Sequence, residues 1–211
     1  MAIVFEYYEP QGKYRLAVWK SEKSDGESDL RLLSPREAAE YATFKSPSRK
    51  REFLAVRRLV RQLAGDSAII RYDSNGAPQL EDGRSLSITH SGDCVGVMTG
   101  ETGRMGIDLE TIRENIDRIV QKFMDDAEQA SFGSLLTPEA MHVIWCAKEI
   151  LFKIYRKGGI DFRKDLEVKP TTIRETGVVE AMIRKPDLTT GIPINYSLLD
   201  GFVLAWGHLS D

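Results

Sequence analysis

The sequence predicts an α+β fold of two similar α+β halves, packed as an internal pseudo-dimer. Three observations predict it. Short strand-like runs flank two long helical segments, the chain matches itself when shifted by 91 residues, and 211 residues suffice for one sizeable core or two small ones. Under the shift Glu37 falls on Glu128, Tyr41 on Phe132, Phe44 on Leu135 and Pro47 on Pro138. Phe53 then meets Ile144, Leu54 meets Trp145, Arg57 meets Lys148, Val60 meets Leu151 and Leu63 meets Ile154, without a gap. Any two amphipathic helices share apolar periodicity, but matched prolines between paired helices ask for more than chance. The halves divide into residues 1–103 and 104–211. A seam between equivalent units is a natural place for a ligand cleft.

Ala2 to Tyr8 and Tyr14 to Trp19 read as strands joined by the turn-rich Glu9-Pro10-Gln11-Gly12. Ser21 to Asp29 is polar and reads as an exposed loop. Ser34-Pro35-Arg36-Glu37 is a helix start, with Ser as N-cap, Pro at N1 and Glu at N3. Ser46-Pro47-Ser48 interrupts that helix, and a second runs from Arg49 to Leu63, stopped by Gly65. Ile69 to Tyr72 is a strand, Asp73 to Gly76 a turn, and Ser85 to Met98 a strand pair broken near Gly92. Gly103 to Glu110 is a further strand, followed by a short amphipathic segment from Asp117 to Met124. A helix opens at Asp125, restarts at Pro138 and runs to Tyr155, where Lys157-Gly158-Gly159 ends it. From Leu166 to His208 short apolar runs alternate with turn residues, which predicts strand.

Composition narrows the function. A net charge of −3 gives no bias toward nucleic acid or an anionic membrane. Cys94 and Cys146 sit in apolar patterns, as reduced buried thiols do. No signal-peptide pattern opens the chain and no apolar run is long enough to span a bilayer. A cytoplasmic monomer is expected, with neither nucleic acid nor membrane as a partner.

The segment Ile144 to Tyr155 carries charges where a buried helix should be apolar. Ile144, Ala147, Leu151 and Ile154 make one apolar stripe, while Trp145, Glu149 and Lys153 make a second, with Lys148 and Phe152 alongside. Taken alone, Glu149 and Lys153 read as a solvated i, i+4 pair. Upstream, Asp108 and Glu110 project from one face of a strand, where their repulsion calls for a cation or partner. With Glu149 they offer three carboxylates and no clustered His or Cys, a set suited to Mg²⁺ or Mn²⁺ rather than zinc. Arg49, Lys50, Arg51, Arg57, Arg58 and Arg61 make the first half's second helix strongly basic, which hints at a phosphate-bearing ligand. Thr89-His90-Ser91 adds hydroxyls and an imidazole at a strand end, although a lone histidine is more often structural.

Three elements together, Thr89-His90-Ser91, Gly106-Ile107-Asp108-Leu109-Glu110 and Trp145-x-x-Lys148-Glu149-x-x-x-Lys153, resemble the signature of the 4'-phosphopantetheinyl transferase superfamily. Their order and separation resemble its surfactin-synthetase-activator-like branch, in which one chain holds two similar halves. Arg51 to Arg57 resembles the family's first-half helix, and Gly76-Ala77-Pro78 its Gly-Lys-Pro turn, with Ala77 in place of the usual lysine. The resemblance implies Mg²⁺-dependent transfer of 4'-phosphopantetheine from coenzyme A to a serine of an acyl, polyketide or peptidyl carrier protein. It implies Asp108, Glu110 and Glu149 as metal ligands, Glu149 also as general base, and Lys153 and Lys148 as phosphate holders. Arg51, Arg57, Gly76, Pro78, Thr89 and His90 would bind the nucleotide end, in the first half. Arg113, Arg118, Lys122, Arg156 and Lys157 would face an acidic carrier. A non-catalytic coenzyme A or carrier binder of the same fold is the alternative within the family. An unrelated Mg²⁺-dependent phosphotransferase or nuclease is the alternative outside it.

Overall fold

Two 18-residue helices organise the chain, and each begins at a proline whose missing N–H costs nothing in a first turn. The computed structural model describes residues 2–21 and 28–210. Of the polar stretch from Ser21 to Asp29, residues 22–27 lie outside the described part, and Ser28–Leu32 form a 3-10 turn.

The fold is α+β, and the chain divides into two compact units. One runs up to Arg71 and includes Pro78–Glu101; the other takes Tyr72–Ala77 and everything from Thr102 onward. The first unit holds β1 (Ala2–Tyr8), β2 (Tyr14–Lys20), α1 (Pro35–Thr43), α2 (Pro47–Ala64), β3 (Ile70–Tyr72), β4 (Pro78–Leu80), β5 (Ser85–Ser91) and β6 (Cys94–Gly100). The second holds β7 (Arg104–Thr111), a 3-10 turn at Ile116–Lys122, α3 (Asp126–Phe132), α4 (Pro138–Tyr155), β8 (Leu166–Val168), β9 (Thr176–Lys185), β10 (Leu188–Leu199) and β11 (Phe202–Leu209). The amphipathic segment expected at Asp117 to Met124 is that 3-10 turn, anchored by buried Ile116 and Val120.

Sheet order repeats between the units. The first sheet runs β1-β2-β6-β5-β4-β3 and the second β7-β11-β10-β9-β8, so removing β1 leaves one shared topology. In each, the strand preceding the helix pair hydrogen-bonds antiparallel to the last strand of its unit. The helix pairs keep the register read from the sequence: Pro47–Ala64 and Pro138–Tyr155 are the same 91 residues apart as their caps. Ser34 accepts from the Glu37 N–H and Asp125 from the Glu128 N–H; Ser46 and Thr137 do the same for α2 and α4.

Each long helix buries one face on its own sheet. Val56, Leu59, Val60 and Leu63 of α2 pack on Ala17, Trp19, Leu86, Val95 and Val97. Ile144, Ala147, Leu151 and Ile154 of α4 pack with Val179, Ala181, Ile194, Val203 and Ala205. Full burial of each such side chain contributes about 1.5–3 kcal/mol. No helix of the described residues is long and apolar enough to cross a membrane.

Candidate active site

The second unit's site starts from a close approach of backbones. A Cβ on Gly106 would lie 2.8 Å from Ile150 Cγ2 and 3.0 Å from the Ile150 carbonyl oxygen. Gly207, the partner of Gly106 across β7 and β11, would place a Cβ 3.3 Å from the same methyl. The two glycines let α4 settle onto the strands. Ile150 is fixed there, so its neighbours on α4 are aimed at the carboxylates of β7.

Lys153 Nζ donates to Asp108 Oδ1 and to the Ile107 carbonyl, each at 2.7 Å. The Trp145 indole N–H donates to Glu110 Oε1 at 3.2 Å. Asp108 is buried, while Glu110 and Glu149 are half-buried. Glu149 makes no hydrogen bond or ion pair among the described residues. Burial and then the Asp108 carboxylate push the Glu149 carboxyl up to about 7; Glu110 adds to the rise and the Lys153 ammonium opposes it.

That shift has a consequence for stability. The folded chain holds a proton on Glu149 that the unfolded chain releases above its ordinary 4.5, so stability falls as pH rises from there through about 7. Glu149→Gln removes this loss. The variant should melt above the parent chain at about pH 8, and the difference should shrink as pH falls and close only at about pH 4, below the ordinary 4.5. Melting curves that stay parallel across that range would contradict the assigned environment of Glu149.

The first unit gathers Arg51 and His90 at a cleft of about 430 Å³, together with Ser48, Glu52 and Asp93. Arg51 has no hydrogen bond or ion pair among the described residues, so its guanidinium is available to an anion. His90 is exposed, with Nε2 3.5 Å from Glu52 Oε1. The other basic side chains of α2 are occupied: Arg49 with Glu52, Lys50 over Tyr41, Arg58 over Trp19 and Arg61 on Glu37. Thr89-His90-Ser91 close β5 at its end, as expected, but the Thr89 side chain, opposite Gly96, is buried, as is Ser91. Gly76 and Pro78 belong to the β3–β4 hairpin. Gly76 takes φ +81° there, and Asp73 Oδ1 accepts from the Asn75 and Ala77 N–H groups at 2.8 and 2.9 Å.

Two expected phosphate ligands are corrected by their burial. Lys148 is 0% exposed, and its ammonium donates to the Phe123 carbonyl at 2.6 Å, the Phe162 carbonyl at 2.9 Å and Glu128 Oε2 at 2.6 Å. All three donors are spent inside the unit. Arg57 is 5% exposed, lies over the Phe53 ring, and has Nε 3.4 Å from Glu37 Oε1. These cations are equivalent under the repeat, as are Glu37 and Glu128, so each unit bridges its two helices with a buried ion pair. The carboxylates differ in state. Burial raises Glu37, but the Ser34 N–H and Arg61 outweigh it and hold the carboxyl below its ordinary value. Burial dominates at Glu128 and pushes it up, as it pushes Lys148 down, against their mutual attraction.

Sequence reasoning passed over three contributors: Ser48 and Glu52 in the first cleft, and His142 on α4. His142 and Trp145 stand one turn apart and line a second cleft of about 330 Å³ with Glu110, Arg113, Arg118 and Ile119. Two polar-tipped rings at i, i+3 in the apolar first half of the helix were the available signal.

A model of the 4'-phosphopantetheinyl transferase superfamily matches residues 104–205, and a model of the 4'-phosphopantetheinyl transferase N-terminal domain matches residues 37–100. No curated protein gives a significant match. The two matches run consecutively, one over each repeated unit, and take in both clefts, the β7 carboxylates and all of α4. On this agreement of order, extent and fold, the chain belongs to the 4'-phosphopantetheinyl transferase superfamily.

Proposed function

We propose that the chain transfers the 4'-phosphopantetheine arm of coenzyme A to a serine hydroxyl of an acyl, polyketide or peptidyl carrier protein. We place it in the two-half, surfactin-synthetase-activator-like branch, a reading supported by the shared topology of its sheets. The observation that carries the proposal is Glu149. Its half-buried side chain has no hydrogen-bond or ion-pair partner among the described residues and stands one turn before Lys153, so the carboxylate is free to take a proton. Glu149 takes the serine proton as the serine oxygen bonds to the phosphorus bearing the pantetheine arm, and 3',5'-adenosine bisphosphate leaves. Lys153, one turn along α4, brings an ammonium to the charge gathering on the transferred phosphate. Arg51 and His90 take phosphate oxygens of the nucleotide end. Exposed Arg113 and Arg118, on the rim of the second cleft, face an acidic carrier.

The all-oxygen donor set supports Mg²⁺, with Mn²⁺ as a substitute, held by Asp108, Glu110 and Glu149. Burial does most to lift Glu149, and the repulsion that Asp108 and Glu110 add to it would be relieved by a divalent cation. Among the described residues no three His, Cys, Asp or Glu side chains are already gathered as a metal cage. Lys153 holds Asp108 instead and must release it to serve the phosphate. When bound, the ion neutralises pyrophosphate oxygens.

The test is direct. The chain is incubated with coenzyme A, Mg²⁺ and a panel of apo carrier proteins, and their intact masses are measured. One phosphopantetheinyl group should appear on at least one carrier, and not on its serine-to-alanine variant. Coenzyme A binding with no adduct on any carrier would replace the transferase reading with that of a non-catalytic binder.

A further inference from the structure

His142 is buried, at 3% exposure, and both its ring nitrogens are committed. Nδ1 lies 2.7 Å from the Pro138 carbonyl, which can only accept, so Nδ1 carries the proton. Nε2 accepts from the backbone N–H of Arg113 at 3.1 Å. The imidazole is therefore the neutral Nδ1–H form, locked to its own helix at one end and to the segment after β7 at the other.

That segment joins two well-anchored points. Ile112 donates its N–H to the Gly201 carbonyl at 2.9 Å, and Ile116 is buried in the core beneath α4. Between them, residues 113–115 belong to neither helix nor strand and are exposed. One turn further along α4, Trp145 holds the side chain of Glu110. His142 thus fixes the backbone and Trp145 the carboxylate on either side of Thr111, and both line the cleft that carries Arg113 and Arg118.

We infer that His142 is a positioning residue for transfer: by accepting the Arg113 N–H it holds the 112–115 segment, and with it the basic rim that meets the carrier protein. The inference rests on the transferase reading above and adds a residue through which the carrier is aligned. Without the acceptor, the segment's freedom is lost only when the carrier binds. That ordering cost then falls on the binding step, so the carrier KM should suffer first.

Two substitutions of similar volume separate positioning from packing. His142→Gln retains an oxygen able to accept the Arg113 N–H, whereas His142→Met fills the space with no comparable acceptor. His142→Met should raise the carrier KM about tenfold while the coenzyme A KM stays within about twofold, a difference of about 1.4 kcal/mol in carrier interaction. His142→Gln should recover most of it. Amide exchange at residues 111–116 should quicken in the Met variant and stay near the parent rate in the Gln variant. Equal carrier KM values for the two variants, with the parent chain active, would overturn the role of His142 alone. No transfer by the parent chain would overturn the transferase reading and this role together. Exchange in that case still reports whether His142 holds the segment.

Discussion

Glu149→Gln should collapse single-turnover transfer by at least about 10²–10⁴, the range that loss of a general base alone produces. Lost metal charge would add to it. The side chain is nearly isosteric and Glu149 makes no side-chain hydrogen bond among the described residues, so the fold should not suffer. Coenzyme A should still bind, because the nucleotide end is assigned to Arg51 and His90. Lys153→Ala should also slow transfer through the phosphate, and it should move the pH dependence of the base upward, because the Lys153 ammonium opposes the rise at Glu149. The two variants are compared by coenzyme A affinity beside single-turnover rate from about pH 6 to 9. A Gln variant that loses affinity and rate in equal proportion makes Glu149 a binding residue, and the base must then be sought elsewhere.

Lys148→Ala should destabilise the fold by about 3–5 kcal/mol, the usual result of leaving one member of a buried ion pair alone. Glu128 would keep the Val168 N–H but lose its cation, and the Phe123 and Phe162 carbonyls would each lose a donor. Pairing Lys148→Met with Glu128→Gln should recover part of the loss, since the glutamine oxygen can still accept from Val168. Arg57→Ala should cost less than Lys148→Ala, because Glu37 retains Arg61 at 3.0 Å. Urea unfolding of the single and double variants yields the coupling energy. A Lys148→Ala chain as stable as its parent, with weakened coenzyme A binding, would return Lys148 to the phosphate role.

The fold was legible because it is written in periodicity and in caps. Equal spacing of Pro47 and Pro138 reported a helix pair used twice, and the shared sheet order follows the same repeat. Gly106, Asp108 and Glu110 were legible as a strand with one acidic face, because side chains alternate whatever the strand packs against. The need for glycine at position 106 was not, since it arises from Ile150 lying across it.

What the sequence by itself determined was which residues share a face: Trp145, Glu149 and Lys153 on one side of α4, Ile144, Ala147, Leu151 and Ile154 on another. What only the tertiary structure decided was which cations remain available to a ligand. The family resemblance implies Lys148 and Arg57 as phosphate ligands, and in the fold they are paired with Glu128 and Glu37. Arg51, in the same basic helix as Arg57, opens into a cleft. The reason is that a charge must be compensated wherever water is removed from it. Whether a helix presents that charge to solvent, to a ligand or to a carboxylate depends on what packs there. That information lies in residues distant along the chain, such as Phe123, Glu128 and Phe162 around Lys148.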